Sequence, residues 1–123
     1  MKIRNVKKAG FTLVEIMIVV AIIGLLAAIA IPNFVKARST SQQNACINNL
    51  RQMDGAMQEY ALENKLVSSA TYTLSNLLPF IKLTSTGNLP ACPAGGTYYA
   101  GATVTNSPMC SLSSQNPYPH AMQ

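Results

Sequence analysis

The side chains suited to chemistry are few in this chain of 123 residues: three cysteines, one histidine and four carboxylates. Glu15 is the acid in the most telling place. It lies in a largely apolar run, residues 11–31. A carboxylate costs roughly 2.5 to 3.5 kcal/mol at mid-bilayer and less near either end. A positive charge from another molecule would offset that cost, so Glu15 points to assembly inside a membrane rather than to catalysis. The other acids are Asp54, Glu59 and Glu63, and none follows Glu63. Paired carboxylates, a Ser-His-Asp set and a calcium cage are starved of members beyond that point. The expectation is a protein that is not an enzyme and carries no cofactor.

Cys46, Cys92 and Cys110 have no CxxC spacing, and the lone His120 lies in a tail rich in Ser, Pro, Asn and Gln. On that spacing no metal site is expected. Three cysteines in a small exported domain suggest one disulfide and one thiol left over. A Cys92–Cys110 bridge would close a loop of about 18 residues and contribute about 3 kcal/mol. The alternative joins Cys46 to one of those two. Spacing favours the first and leaves the second open. Cys46 otherwise reads as a buried free thiol.

These side chains need elements to position them. Residues 11–31 as a helix span roughly 31 Å, which matches a hydrocarbon core of about 30 Å. Lys2, Arg4, Lys7 and Lys8 carry four of the nine basic charges; Lys36, Arg38, Arg51, Lys65 and Lys82 nearly balance the four acids. Four of the five net positive charges therefore belong to the leader. They fit a topology signal that keeps the N-terminus cytoplasmic, and no basic patch speaks for nucleic acid. Lys36 and Arg38 on the far flank oppose that orientation. Pro32 predicts a kink or local loss of helix, and Gly24 weakens helix by about 1 kcal/mol relative to Ala. Two plainer readings stay open. One is a secretory signal peptide, with Ala28-Ile29-Ala30 as its small-x-small site. The other is a single-pass anchor, which does not explain Glu15.

Lys7-Lys8-Ala9-Gly10 followed by Phe11-Thr12-Leu13-Val14-Glu15 resembles the class III signal of type IV pilins and of the pseudopilins of type II secretion. The resemblance covers about the first 35 residues strongly. It implies cleavage between Gly10 and Phe11 by a membrane-embedded prepilin peptidase, then N-methylation at Phe11. It further implies subunits that leave the bilayer and stack into a homo-oligomeric filament, driven by a platform membrane protein and a cytoplasmic ATPase. Glu15 of one subunit is expected to pair with the new amine at Phe11 of a neighbour. The stretch between Gly24 and Pro32 can unwind on assembly in filaments of this kind. Major pseudopilins commonly hold calcium in their C-terminal loop; the absence of acids beyond Glu63 departs from that pattern.

The rest of the chain reads as residues 32–65, an amphipathic continuation of the helix, and residues 66–123, a small head. Cys46, Leu50, Met53, Met57 and Tyr60 recur at steps of four and three, a helix stripe that needs a core. A short helix is expected at residues 73–78, with Thr73 near its N-cap and Pro79 ending or bending it. Residues 97–100 and 109–112 read as a hairpin, which residues 102–105 extend, and the tail from Ser113 reads as poorly ordered. The fold class is α+β, a pilin-like lollipop with a removed basic leader at residues 1–10. The expected function is a pseudopilus subunit of type II secretion, with a type IV pilus subunit for adhesion, motility or DNA uptake as alternative. A single-pass anchored binding module is the alternative of another class. The expected place is the bacterial inner membrane, head outside the cytoplasm, and then a periplasmic or extracellular filament.

Overall fold

The structure, a computed structural model, describes residues 10–122. The basic leader, except Gly10, lies outside the described residues. One long helix, α1 (Leu13–Glu63), is followed by a 3-10 helix (Leu74–Phe80) and two short strands, β1 (Tyr98–Tyr99) and β2 (Met109–Cys110). This is the α+β class expected from the sequence. The described residues divide into two compact units at the Lys36–Ala37 junction.

In the first unit, apolar side chains face outward all round the helix. Leu13, Ile16, Val20, Ile23, Leu26 and Ile31 are all more than half exposed. A helix apolar on every side suits lipid or other helices, not water. It is long and apolar enough to cross a membrane. Pro32 lies within α1, and the helix runs through it without a break. The expected local loss of helix is therefore absent, although Pro32 itself donates no backbone hydrogen bond.

In the second unit, α1 becomes one-sided. Cys46, Leu50, Met53, Ala56 and Met57 are buried, and Tyr60 packs against them. The predicted stripe is thus the helix face of the core. The 3-10 helix brings Leu77 into that core, and its start is tied by Thr73, whose N–H and hydroxyl both donate to Asn76 Oδ1. Pro79 sits inside this short helix rather than ending it. The strands pair antiparallel, Tyr98 opposite Cys110 and Tyr99 opposite Met109. Tyr98 and Cys110 are buried, Tyr99 and Met109 exposed, so one face of the ribbon completes the core. Residues 102–105 form turns and bends, not a strand extension. The residues on either side of them seat Tyr72, whose hydroxyl donates to the Asn106 carbonyl and accepts from the Gly101 N–H.

The tail corrects the sequence expectation. His120 is only 2% exposed, and its N–H donates to the Leu112 carbonyl. Gln43 of α1 donates to the Pro119 carbonyl beside it. The polar composition suggested a loose end, but local composition does not register one buried side chain held by the helix.

Candidate functional site

Two places concentrate the chemistry. The first is the start of α1. Gly10, Phe11 and Thr12 precede the helix, and Gly10 and Phe11 are exposed. Thr12 N–H and Thr12 Oγ1 donate to Glu15 Oε2 at 2.7 and 2.8 Å, and Glu15 N–H donates back to Thr12 Oγ1 at 3.3 Å. This is a capping box, in which Thr12 and Glu15 satisfy helix-start donors reciprocally. The sequence reading considered only the charge of Glu15 and missed this local role, although Thr-x-x-Glu before an apolar run is its signature. Both donations from Thr12 fall on Oε2; Oε1 takes part in neither. Gly24 is exposed within the helix, and a Cβ there would meet nothing.

The second place is in the head. Cys46 on α1, Cys92 in the Cys-Pro-Ala-Gly-Gly turn, Cys110 on β2 and His120 in the tail converge. Their ligand atoms all lie within 4.8 Å of one another, and all four residues are buried. Cys92 Sγ and His120 Nδ1 are 3.6 Å apart. The three cysteines are free thiols. Neither Cys92–Cys110 nor a pairing with Cys46 is formed, and all three sulfurs share one pocket.

Several contacts fix this arrangement. Asn49 donates to the Ala91 carbonyl and Gln42 to the Pro93 carbonyl, so α1 grips the chain on both sides of Cys92. Asn49 also donates to the Tyr98 hydroxyl. The turn closes through Gly95 N–H to the Cys92 carbonyl, with Gly95 at a φ of +82° that side chains disfavour. Gly96 is needed for space, since a Cβ there would lie 2.6 Å from Cys110 Sγ.

The electrostatics differ from thiol to thiol. Burial pushes the Cys46 thiol up to about 12, against a hydrogen bond from Tyr98 that acts to lower it. Burial also acts to raise Cys92, but the amides of Ala94 and Gly96 and the neighbouring thiols outweigh it and hold Cys92 below the ordinary thiol range. Amide donors aimed at a sulfur favour its thiolate. Elsewhere in the head, a cavity of about 420 Å³ beside Leu50, Pro108 and Met122 is lined by no titratable side chain.

Comparison with known proteins identifies the first of these places. Residues 5–31 match the family described as the prokaryotic N-terminal methylation motif. The chain is 51% identical over 59 residues to the type IV major pilin protein PilA of Myxococcus xanthus, covering 48% of this chain and 27% of that protein. It is 45% identical over 71 residues to the type IV major fimbrial protein FimA of Dichelobacter nodosus, covering 56% and 44%. It is 31% identical over 72 residues to the type II secretion system core protein G of Vibrio cholerae, covering 58% and 49%. The matches thus span between about a quarter and a half of these relatives' length. No solved structure matches the chain. The chain carries a prepilin-type N-terminal motif, and about half of it is similar to type IV pilins and to a type II secretion core protein alike.

Proposed function

We propose that this chain is a structural subunit of a membrane-derived filament, released for assembly by cleavage between Gly10 and Phe11. One observation carries the reading: an exposed, non-helical Gly10–Phe11 junction leads directly into a capped helix that is apolar on every face. Cleavage there would create an amine at Phe11, one residue before the N-cap. In a bundle of such helices, Glu15 of one subunit supplies the charge that this amine needs. An unpaired buried charge is costly and a paired one much less so, and the pair fixes the register of neighbouring subunits more than it adds net stability. The relatives named as pilins and as secretion core protein support this class of function.

Within the class we favour a pseudopilus subunit of type II secretion, a reading supported by the similarity to the type II secretion system core protein G. The type IV pilus is the second reading, favoured by the higher identity to pilins over the matched residues. In either case the partners are further copies of the chain, a prepilin peptidase and N-methyltransferase, a platform protein and an assembly ATPase. The head faces away from the cytoplasm.

Intact-mass and N-terminal peptide mass spectrometry of the protein from its native membrane tests the reading. A mature chain beginning at methylated Phe11 is expected. A chain that keeps Met1 to Gly10 refutes it and leaves the single-pass anchor. Deletion of the gene then separates the two roles, with loss of secreted proteins for a pseudopilus and loss of surface pili for a pilin.

A further inference from the structure

We infer that Cys46, Cys92, Cys110 and His120 form a tetrahedral zinc site that staples the head to α1. The inference is independent of how, or whether, the subunit polymerises.

Geometry carries it. A tetrahedral zinc with Zn–S of about 2.3 Å and Zn–N of about 2.0–2.1 Å has S···S edges of about 3.8 Å and S···N edges of about 3.5 Å. The Cys92 Sγ to His120 Nδ1 separation is 3.6 Å, already the length of such an edge. The widest spacing among the four ligand atoms is within 4.8 Å, so closing on an ion asks for movements of about 1 Å or less. With Nδ1 as ligand, the imidazole keeps its proton on Nε2. Three sulfurs and one imidazole nitrogen are soft and borderline donors that suit zinc and reject calcium and magnesium.

Burial says which kind of site it is. Cys46 is 0% exposed, Cys92 6%, Cys110 2% and His120 2%. Four protein ligands with no open position make a closed, structural centre, not a catalytic one. The four come from a helix, a turn, a strand and the tail, so one ion crosslinks the turn, the strand and the tail to α1. A disulfide would use two of the sulfurs and leave the third, with the imidazole, buried among them. The ion uses all four groups at once.

The surroundings are built for the charge. Binding releases three thiol protons and leaves three thiolates and one dication, a net charge of −1. Donors offset it: the amides of Ala94 and Gly96 point at Cys92 and the Tyr98 hydroxyl at Cys46. Such contacts to ligand atoms orient them and tune the centre. Gln42, Gln43 and Asn49 hold the carbonyls beside Cys92 and His120, which sets the ligands before the ion arrives.

The test uses the full chain in detergent, purified without chelator or added thiol. Elemental analysis should find about one zinc per chain, and X-ray absorption should give three sulfur neighbours and one nitrogen. Cobalt(II) exchanged into the protein should show the visible bands of a tetrahedral thiolate complex. His120→Ala should lower bound zinc at least tenfold, and His120→Cys, which restores a fourth ligand, should recover it. That recovery guards against a variant that merely unfolds. A metal-free chain lighter by two hydrogens, or a chain that binds zinc equally with His120→Ala, overturns the inference.

Discussion

Glu15→Gln and Glu15→Ala separate two roles of one side chain. The Thr12 N–H and hydroxyl both donate to a single oxygen, Glu15 Oε2. Glutamine keeps a carbonyl oxygen in that place, and capping boxes accept Gln as well as Glu at this position. Glu15→Gln therefore preserves the helix start and removes only the charge. Glu15→Ala removes both, and the lost cap costs about 1 kcal/mol. The charge matters where a neighbour's Phe11 amine faces it inside an apolar bundle. Leaving that amine buried and unpaired costs roughly 3–5 kcal/mol, which is about two to three and a half powers of ten in an assembly equilibrium. The charge effect exceeds the cap effect several-fold. Both variants should therefore be processed at the Gly10–Phe11 bond, as read by mass, and both should lose filaments, as read by immunoblot of sheared surface or periplasmic material against total protein. Helix content of the Glu15→Gln monomer in detergent should equal that of the wild type. If Glu15→Gln assembles normally while Glu15→Ala does not, the side chain acts as a cap and the pairing with Phe11 is wrong.

Two further substitutions probe the head. Leu50 is 1% exposed on the buried face of α1, so Leu50→Ala should cost about 3–5 kcal/mol, read as a lower urea midpoint for the head. An unchanged midpoint would mean that the stripe does not hold the core. Tyr72→Phe leaves the buried Gly101 N–H without its acceptor and should cost roughly 1–3 kcal/mol. Burial first, then the charge of Asp54, raises the Tyr72 phenol above its ordinary value, against a lowering from the Gly101 amide. Its contribution to stability is therefore whole below the ordinary tyrosine value of about 10 and is lost as pH rises through the higher folded value. Tyr72→Phe should flatten part of the alkaline loss of stability, Tyr98 keeping its own share because burial raises it too. An alkaline profile identical to the wild type would refute this assignment.

Much of the fold was legible because its signals are local. Steps of four and three from Cys46 to Tyr60 define a helix face whatever packs on it, and that face is the core. The all-round apolar run before it reads as a helix made for lipid or for other helices. The hairpin was visible through Tyr98, Tyr99 and Cys110, but its strands are two residues each, too short for alternation to mark their ends. The convergence of Cys46, Cys92, Cys110 and His120 was not legible. Its members are far apart in sequence, at positions 46, 92, 110 and 120, and only the folding of the tail and the turn against α1 brings them together. His120 sits in composition that argues for disorder, and the contacts that hold its segment are distant: Gln43 donates to the carbonyl of the preceding Pro119, 76 residues on in the chain. The capping role of Glu15 was written in Thr12-x-x-Glu15, but the larger electrostatic question obscured it.

The three amide side chains of α1 that fasten the head reach main-chain carbonyls, those of Ala91, Pro93 and Pro119. Every amino acid offers that atom. The outward side chains of these segments, such as Ala94, Thr97 and Tyr99, have no share in the fastening and are free to change. Evolution can thus repaint the outer coat of this subunit for a new neighbour or cargo while the bolts underneath stay as they are.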